Sequence, residues 1–181
     1  IRDHIAYYTF DTLRTLLERH GFSVLEEEVV NRDTLSVIVK KTDRASDMAP
    51  KGAALIDIGG LKASLCDIPR QIQELCLKLK EEGKTLAMWG AGHQGFTLAA
   101  TTALKDHARY ILDSAPFKQG KVAPASHVPI VVPKEFEKDP VDMIFIAAPG
   151  YTEEIFGEIR KRFGYKVRVA ALRSNQVEEL S

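Results

Sequence analysis

A glycine-rich turn lies near the middle of the chain, where the apolar run Thr85–Trp89 is followed by Gly90-Ala-Gly92-His-Gln-Gly95. This spacing suits a strand that turns tightly into a helix. Gly90 would allow the turn, Gly92 the approach of a phosphate to bare backbone, and Gly95 the close packing of helix on strand. The N–H groups and positive dipole of the helix start would favour an anion. The motif predicts a nucleotide-binding type of fold.

An acidic residue follows the next predicted strand, since Ala108–Leu112 ends at Asp113. In folds that bind dinucleotides, an acid at this position holds the ribose hydroxyls. Any doubly wound sheet also needs a glycine-rich first turn, so the motif leaves the ligand open. On these residues alone the chain could be an NAD(P)-binding oxidoreductase, a stand-alone nucleotide-binding module or a structural domain with an empty crevice.

The elements around this turn predict an α/β fold, a Rossmann-like open parallel sheet with helices on both faces. A helix is expected to start at Asp67 and Pro69 and to stop at Gly83, and another is expected over Thr152–Phe163. The nearly continuous apolar run Val141–Ala148 marks a central strand buried on both faces. Further strands are predicted at Ala108–Leu112, Val128–Val132 and Lys166–Leu172.

The N-terminal part has a different pattern. Thr9–His20 is predicted as a short amphipathic helix, and Phe22–Leu25 and Thr34–Val39 as two strands joined through the turn-prone Asn31–Asp33. A helix and a hairpin bury too little apolar surface to form a domain alone. We therefore interpret residues 1–43 as the end of a preceding domain, residues 44–60 as a linker, and residues 61–181 as the Rossmann-like domain.

The loops after parallel strands meet at one edge of the sheet, where ligands of such folds bind. This rule brings Gly90–Gly95, Asp113–Gly120 and Ala148–Tyr151 into one predicted crevice. The side chains there have both a functional and a structural interpretation. His93 is either a neutral hydrogen-bond partner or an exposed loop residue. Lys118 and Lys121 either contact a phosphate or form a solvated basic turn. Tyr151 either stacks on a base or sugar or covers a helix start.

Composition narrows the possible partners. The 181 residues carry 25 basic and 25 acidic side chains, so the formal net charge is zero and no nucleic-acid or membrane surface is expected. No apolar run is long enough to span a bilayer and no leader is visible, which favours a cytoplasmic protein. No residues have metal-ligand spacing, so no metal site is predicted. Cys66 and Cys76 are interpreted as buried thiols.

The N-terminal segment Arg2-Asp-His-Ile-Ala-Tyr-Tyr-Thr9 holds a second candidate group. A histidine beside a carboxylate and two tyrosines can act as an acid–base group, with Asp3 or a tyrosine tuning His4.

Several segments together resemble the SAM-dependent C-methyltransferases that act on nucleotide-linked deoxy sugars. Asp3-His-Ile-Ala-Tyr-Tyr-Thr9 and Leu13–Phe22 are similar to the end of that family's catalytic domain. Its C-terminal Rossmann-like domain is matched by Gly90-Ala-Gly92, Asp113-Ser-Ala-Pro-Phe-Lys-Gln-Gly-Lys121, Pro124-Ala-Ser-His-Val-Pro-Ile130 and Tyr151-Thr-Glu-Glu-Ile155. The resemblance runs from about Asp3 to Leu172 of the chain.

The resemblance implies that His4 is the general base and Asp3 a possible sugar contact. The base would remove a proton from carbon next to a ketone, and the enolate would attack the sulfonium methyl of S-adenosylmethionine (SAM). It also implies a fragment that is inactive alone, with SAM bound by the missing catalytic half, none bound here, and this domain covering the active site and contacting the nucleotide sugar. The chain departs from the family at Ile1, Pro124-Ala125 and Pro149-Gly150, where the family has tyrosine, Pro-Gly and Trp-Asn. The oligomeric state stays open.

Overall fold

The computed structural model describes residues 7–30, 34–43, 58–173 and 175–181. The chain divides into two compact units, Ile1–Asp57 and Ile58–Ser181, which are described separately below. The Asn31–Asp33 turn and most of the linker predicted at 44–60 lie outside the described residues.

The first unit contains a helix and an antiparallel hairpin. Helix α1 spans Phe10–Arg19, and a capping box between Thr9 and Thr12 satisfies its first N–H groups. Strands β1, Phe22–Val30, and β2, Thr34–Lys41, pair from Phe22↔Lys41 to Val30↔Thr34. Strand β1 was expected to end at Leu25. It continues because Glu26–Glu28 pairs with Ser36–Ile38 beyond a bulge that interrupts the register between Val24 and Glu26.

The second unit is built on a six-stranded sheet. Its strands are β3 Leu86–Trp89, β4 Ala108–Leu112, β5 Ile130–Val131, β6 Met143–Ile146, β7 Arg168–Arg173 and β8 Gln176–Leu180. They lie in the order β5-β4-β3-β6-β7-β8, and all neighbours are parallel except β7 and β8, which are antiparallel. The predicted open, Rossmann-like parallel sheet is therefore confirmed, with an antiparallel edge strand that was missed.

Helices cover both faces of this sheet. The helices are α2 Ile58–Glu81, α3 His93–Thr101, α4 Leu104–His107 and α5 Thr152–Phe163, and 3-10 helices span Pro133–Glu137 and Pro149–Tyr151. Ile72 of α2 packs with Met88 and Phe145 on one face. Ile159 of α5 packs with Trp89 and Ile146 on the other. Adjacent residues of a strand point to opposite faces, so the apolar strands are buried on both sides.

Helix α2 begins earlier than the sequence indicated. A start at Asp67 and Pro69 was expected, but the helix begins at Ile58 and contains Pro69 in its interior. A proline leaves the carbonyl group four residues earlier without its helical donor. That residue is Leu65, which is 61% exposed, so water can satisfy the carbonyl. The interpretation of both cysteines as buried was wrong for Cys66, which is exposed, while Cys76 is buried on the inner face of α2.

Candidate functional site

Three loops meet at the carboxyl edge of the sheet in the second unit. Trp89, the last residue of β3, is level with Leu112 of β4 and Ile146 of β6, so the following loops leave the sheet side by side. The backbone N–H of Gly90 donates a 2.9 Å hydrogen bond to the carbonyl oxygen of Leu112, and that of Ala147 donates a 2.8 Å bond to Trp89. The loops that the sequence assigned to one crevice do lie together.

The three glycines of the turn differ in what the protein requires of them. Gly90 has φ 113°, a conformation that strains other residues. A Cβ atom on Gly95 would overlap the backbone carbonyl oxygen of Gly90. Gly92 has an ordinary extended φ of −98°, and a Cβ atom there would meet nothing within 4 Å. Packing within the domain thus explains Gly90 and Gly95, whereas Gly92 faces open space.

Asp113 connects the glycine turn to the neighbouring loop. Asp113 is only 8% exposed. One carboxylate oxygen, Oδ2, accepts a 2.7 Å hydrogen bond from the backbone N–H of Ala91 and lies 3.2 Å from the Nζ atom of Lys118. The other, Oδ1, accepts a 2.9 Å bond from the backbone N–H of Ala115. The carboxylate therefore serves two backbone donors and one ammonium group of the domain itself.

The Lys118-Gln119-Gly120 segment folds around the same acid. The side-chain amide of Gln119 donates a 3.0 Å hydrogen bond to the carbonyl oxygen of Asp113. Gly120 has φ 75°, and its N–H donates a 2.9 Å bond to Ile130. Each residue of this segment thus has a structural task. The aromatic ring of Phe117, beside it, is 71% exposed and lies 5.6 Å from the Lys118 Nζ atom.

The remaining candidate residues lie in the same loops and are exposed. His93 is the first residue of α3 and is exposed. Tyr151 ends the 3-10 helix before α5 and is 65% exposed. Lys121 is exposed, and its backbone rather than its ammonium group holds the loop, by accepting a 2.8 Å hydrogen bond from Ile130.

The start of α3 offers backbone donors to the crevice. The N-cap residue is Gly92, which has no side chain to accept a hydrogen bond from the first turn. Within the described part of the chain, the N–H groups of His93 and Gln94 have no acceptor. Such groups, with the helix dipole, favour a negatively charged partner.

The turn at Ala125–His127 contains backbone strain that was not predicted from the sequence. Ala125 and His127 both have positive φ, 62° and 58°, although neither is glycine. The hydroxyl oxygen of Ser126, between them, is buried and has no hydrogen-bond partner among the residues that the structure describes. The departure at Pro124-Ala125, where the family that the sequence resembles has Pro-Gly, could have indicated this turn, because glycine adopts positive φ without strain.

The predicted acid–base residues Asp3 and His4 lie outside the described residues. Among the residues that are described, no group of three or more histidine, cysteine or acidic side chains could hold a metal ion. In the same part of the chain, no helix has both the length and the apolar character of a membrane span.

Comparison with known proteins places these features in a family. The model of the C-methyltransferase C-terminal domain matches residues 49–168, which include the glycine turn, Asp113 and the strained loop. The chain belongs to this family. The resemblance of this part of the chain to the C-terminal domain of the C-methyltransferases is therefore confirmed.

A curated relative of this C-methyltransferase C-terminal domain is the C-methyltransferase NovU of Streptomyces niveus, 27% identical over 168 residues. The match covers 84% of this chain and 40% of the relative, so the chain spans less than half of that protein's length. Among solved structures, UDP-D-quinovosamine 4-dehydrogenase from Vibrio fischeri is similar, with 20% identity and a TM-score of 0.44 over 54% of this chain and 93% of that one.

Proposed function

We propose that this chain is the C-terminal portion of a SAM-dependent methyltransferase that methylates a carbon of a nucleotide-linked keto sugar. The family match over residues 49–168 carries the proposal, and the similarity to the C-methyltransferase NovU supports it. The keto sugar comes from the resemblance of the N-terminal motif and of the Lys118-Gln119-Gly120 segment to enzymes acting on such substrates.

In this proposal, the carboxyl-edge crevice of the second unit covers the active site and contacts the nucleotide sugar. Gly92 leaves room for a phosphate, the N–H groups of His93 and Gln94 can donate to it, and Tyr151 offers an exposed ring for a base or sugar. Lys118 adds a positive charge at the same edge. Gly90, Gly95 and Asp113 act by holding these groups in place.

The proposed catalytic residues are His4 and Asp3. His4 would accept the proton from the carbon beside the ketone, and Asp3 would contact the sugar. SAM would supply the methyl group as a sulfonium. Asp113, the acid beside the glycine turn, is engaged by Ala91, Ala115 and Lys118, so this acid does not fit the ribose of SAM. We therefore assign the binding of SAM to a part of the enzyme other than residues 58–181.

Methyl transfer in the full-length enzyme tests this function. With labelled SAM and a dTDP-linked keto-deoxy sugar, we expect a C-methylated sugar, and no product from residues 1–181 alone. The variant His4→Ala should lower turnover by about a hundredfold with little change in SAM affinity, since general bases contribute effects of this order. His107→Ala is the matched control. Failure of the enzyme to methylate any such sugar would contradict the proposal, and unchanged turnover would remove His4 from it.

A further inference from the structure

The glycine turn and the acid after β4 form the sequence pattern of a site for an adenosine ribose, yet the structure uses the acid differently. We propose that the Asp113 carboxylate fixes the glycine turn through its contacts with Ala91, Ala115 and Lys118, which we call the lock. This lock prevents the crevice from holding the ribose of an NAD(P)-type dinucleotide. The inference is independent of which sugar the enzyme methylates, because it rests only on contacts inside residues 90–131.

A ribose diol is recognised when a carboxylate presents its oxygens to the two hydroxyl groups. In its present position Asp113 already serves three donors of the domain, which leaves its carboxylate little accepting capacity for a diol. Oδ2 accepts from the N–H of Ala91 at 2.7 Å and faces the ammonium group of Lys118 at 3.2 Å, and Oδ1 accepts from the N–H of Ala115 at 2.9 Å. The side chain is 11% exposed. A ribose would have to replace charge-assisted bonds that are already formed in a buried setting.

The backbone of Asp113 is fixed as well, so rotation of the whole residue towards the crevice is prevented. Its N–H donates a 3.1 Å hydrogen bond to the carbonyl oxygen of Val131. Its own carbonyl oxygen accepts a 3.0 Å bond from the side chain of Gln119. Freeing the carboxylate would leave the N–H groups of Ala91 and Ala115 without this acceptor, which is costly above all for the buried Ala91.

The lock also explains why Ala91 stands between the two glycines. Its side chain is fully buried, and its N–H points at Asp113 rather than at the crevice. The donors left facing the crevice are those after Gly92, at the start of α3. The turn therefore has the sequence pattern of a dinucleotide-binding motif, but the N–H of Ala91 and the carboxylate of Asp113 bond to each other rather than to a ligand.

Binding of dinucleotides tests the inference directly. NAD⁺ and ADP-ribose are titrated calorimetrically into the unmodified chain, and we expect no saturable binding up to about 1 mM. Saturable binding of either compound that Asp113→Asn weakens would overturn the inference. Binding that Asp113→Asn leaves unchanged would overturn it as well, because the crevice would then accept the dinucleotide despite the lock. Neither result would bear on methyl transfer.

Amide hydrogen exchange tests the lock itself. In Asp113→Ala we expect protection of the Ala91 and Ala115 amides to fall by about tenfold or more, the size of a lost bond to a charged group, and in Asp113→Asn, which keeps one acceptor oxygen, we expect this fall at one of the two amides. The Gly90 amide, which is bonded to Leu112, should keep its protection. The control is Asp106→Asn, an exposed acid on α4. Equal loss at Gly90 and Ala91 would show global loosening and contradict a local lock. If Asp113→Ala does not fold, the dinucleotide titration still decides the inference.

Discussion

Gly95 lies against Gly90 so closely that a Cβ atom on Gly95 would overlap the carbonyl oxygen of Gly90. This contact seats the first turn of α3 on the end of β3. It fixes the position of the helix N-terminus at the crevice, because backbone, unlike a flexible side chain, cannot move aside cheaply.

The contact predicts that Gly95→Ala is strongly destabilising. The added methyl group should lower the free energy of unfolding by about 3 kcal/mol or more, the range of overpacking against backbone. Gly92→Ala is the matched control, and we expect a change within about 1 kcal/mol because its Cβ atom enters open space. Urea denaturation of both variants measures this, and equal stability of the two would refute the packing account.

The strained turn predicts a stabilising substitution. Ala125 has φ 62°, which costs an L-residue about 1–2 kcal/mol. Ala125→Gly removes this strain but adds entropy to the unfolded chain, so we expect a net gain of about 0.5–1 kcal/mol. As a control, Ala100→Gly inside α3 should cost about 1 kcal/mol. Thermal unfolding distinguishes the two, and a lower melting temperature for Ala125→Gly would contradict the account.

Arg160 holds the C-terminal strand to α5. Its guanidinium group donates hydrogen bonds to the carbonyl oxygens of Gly164, Val167 and Leu180 at 3.2, 2.9 and 3.1 Å. Arg160→Ala should lower the free energy of unfolding by about 2–4 kcal/mol, since three partly buried carbonyls lose a charged donor.

The control for Arg160 lies one half-turn further along the same helix. Arg162 is half exposed and pairs with Glu158, so Arg162→Ala should cost less than about 1 kcal/mol. Equal losses in Arg160→Ala and Arg162→Ala, measured by chemical denaturation, would show that the three carbonyl contacts add no stability.

The two cysteines predict a pH effect. Burial raises the pKa of the Cys76 thiol from 9.0 to about 11. The folded state therefore keeps the proton more tightly, and the stability that Cys76 contributes is complete below about pH 9 and lost as pH rises to about 11. At 1.36 kcal/mol for each pH unit, the loss is at most about 3 kcal/mol.

Denaturation between pH 8 and 11 measures this effect, and the same titration of Cys76→Ala should show a shallower decline. Exposed Cys66 offers the control, because Cys66→Ala should leave the pH profile unchanged. Identical profiles for Cys76→Ala and the unmodified chain would contradict the assignment.

The sequence predicted the central elements well because their apolar patterns are strong. The helix over Thr152–Phe163 has the predicted bounds, and the strand at Ala108–Leu112 does too. Strand β8, Gln176–Leu180, was missed because it is a polar edge strand whose formation depends on pairing with β7. The start of α2 was missed because proline usually begins a helix, whereas Pro69 lies inside one.

The grouping of the candidate-site loops was predicted from the sequence, whereas their side-chain contacts were not. Parallel topology alone brings Gly90, Asp113 and Ala148 to one edge, so their loops could be grouped in advance. That Asp113 bonds to Ala91 and Ala115 depends on side-chain orientation, which no spacing of residue types reveals. The roles of Asp3 and His4 stay predictions.

The most direct test of the account is the affinity of the full-length enzyme for its nucleotide sugar when the open glycine is filled. Calorimetry with dTDP-glucose and with SAM is compared for the unmodified enzyme, Gly92→Val and the control Gly157→Val, whose position on α5 is equally open. We predict that Gly92→Val alone weakens dTDP-glucose binding by about tenfold or more, with SAM affinity unchanged. Unchanged dTDP-glucose affinity in Gly92→Val would contradict the claim that this crevice contacts the sugar nucleotide.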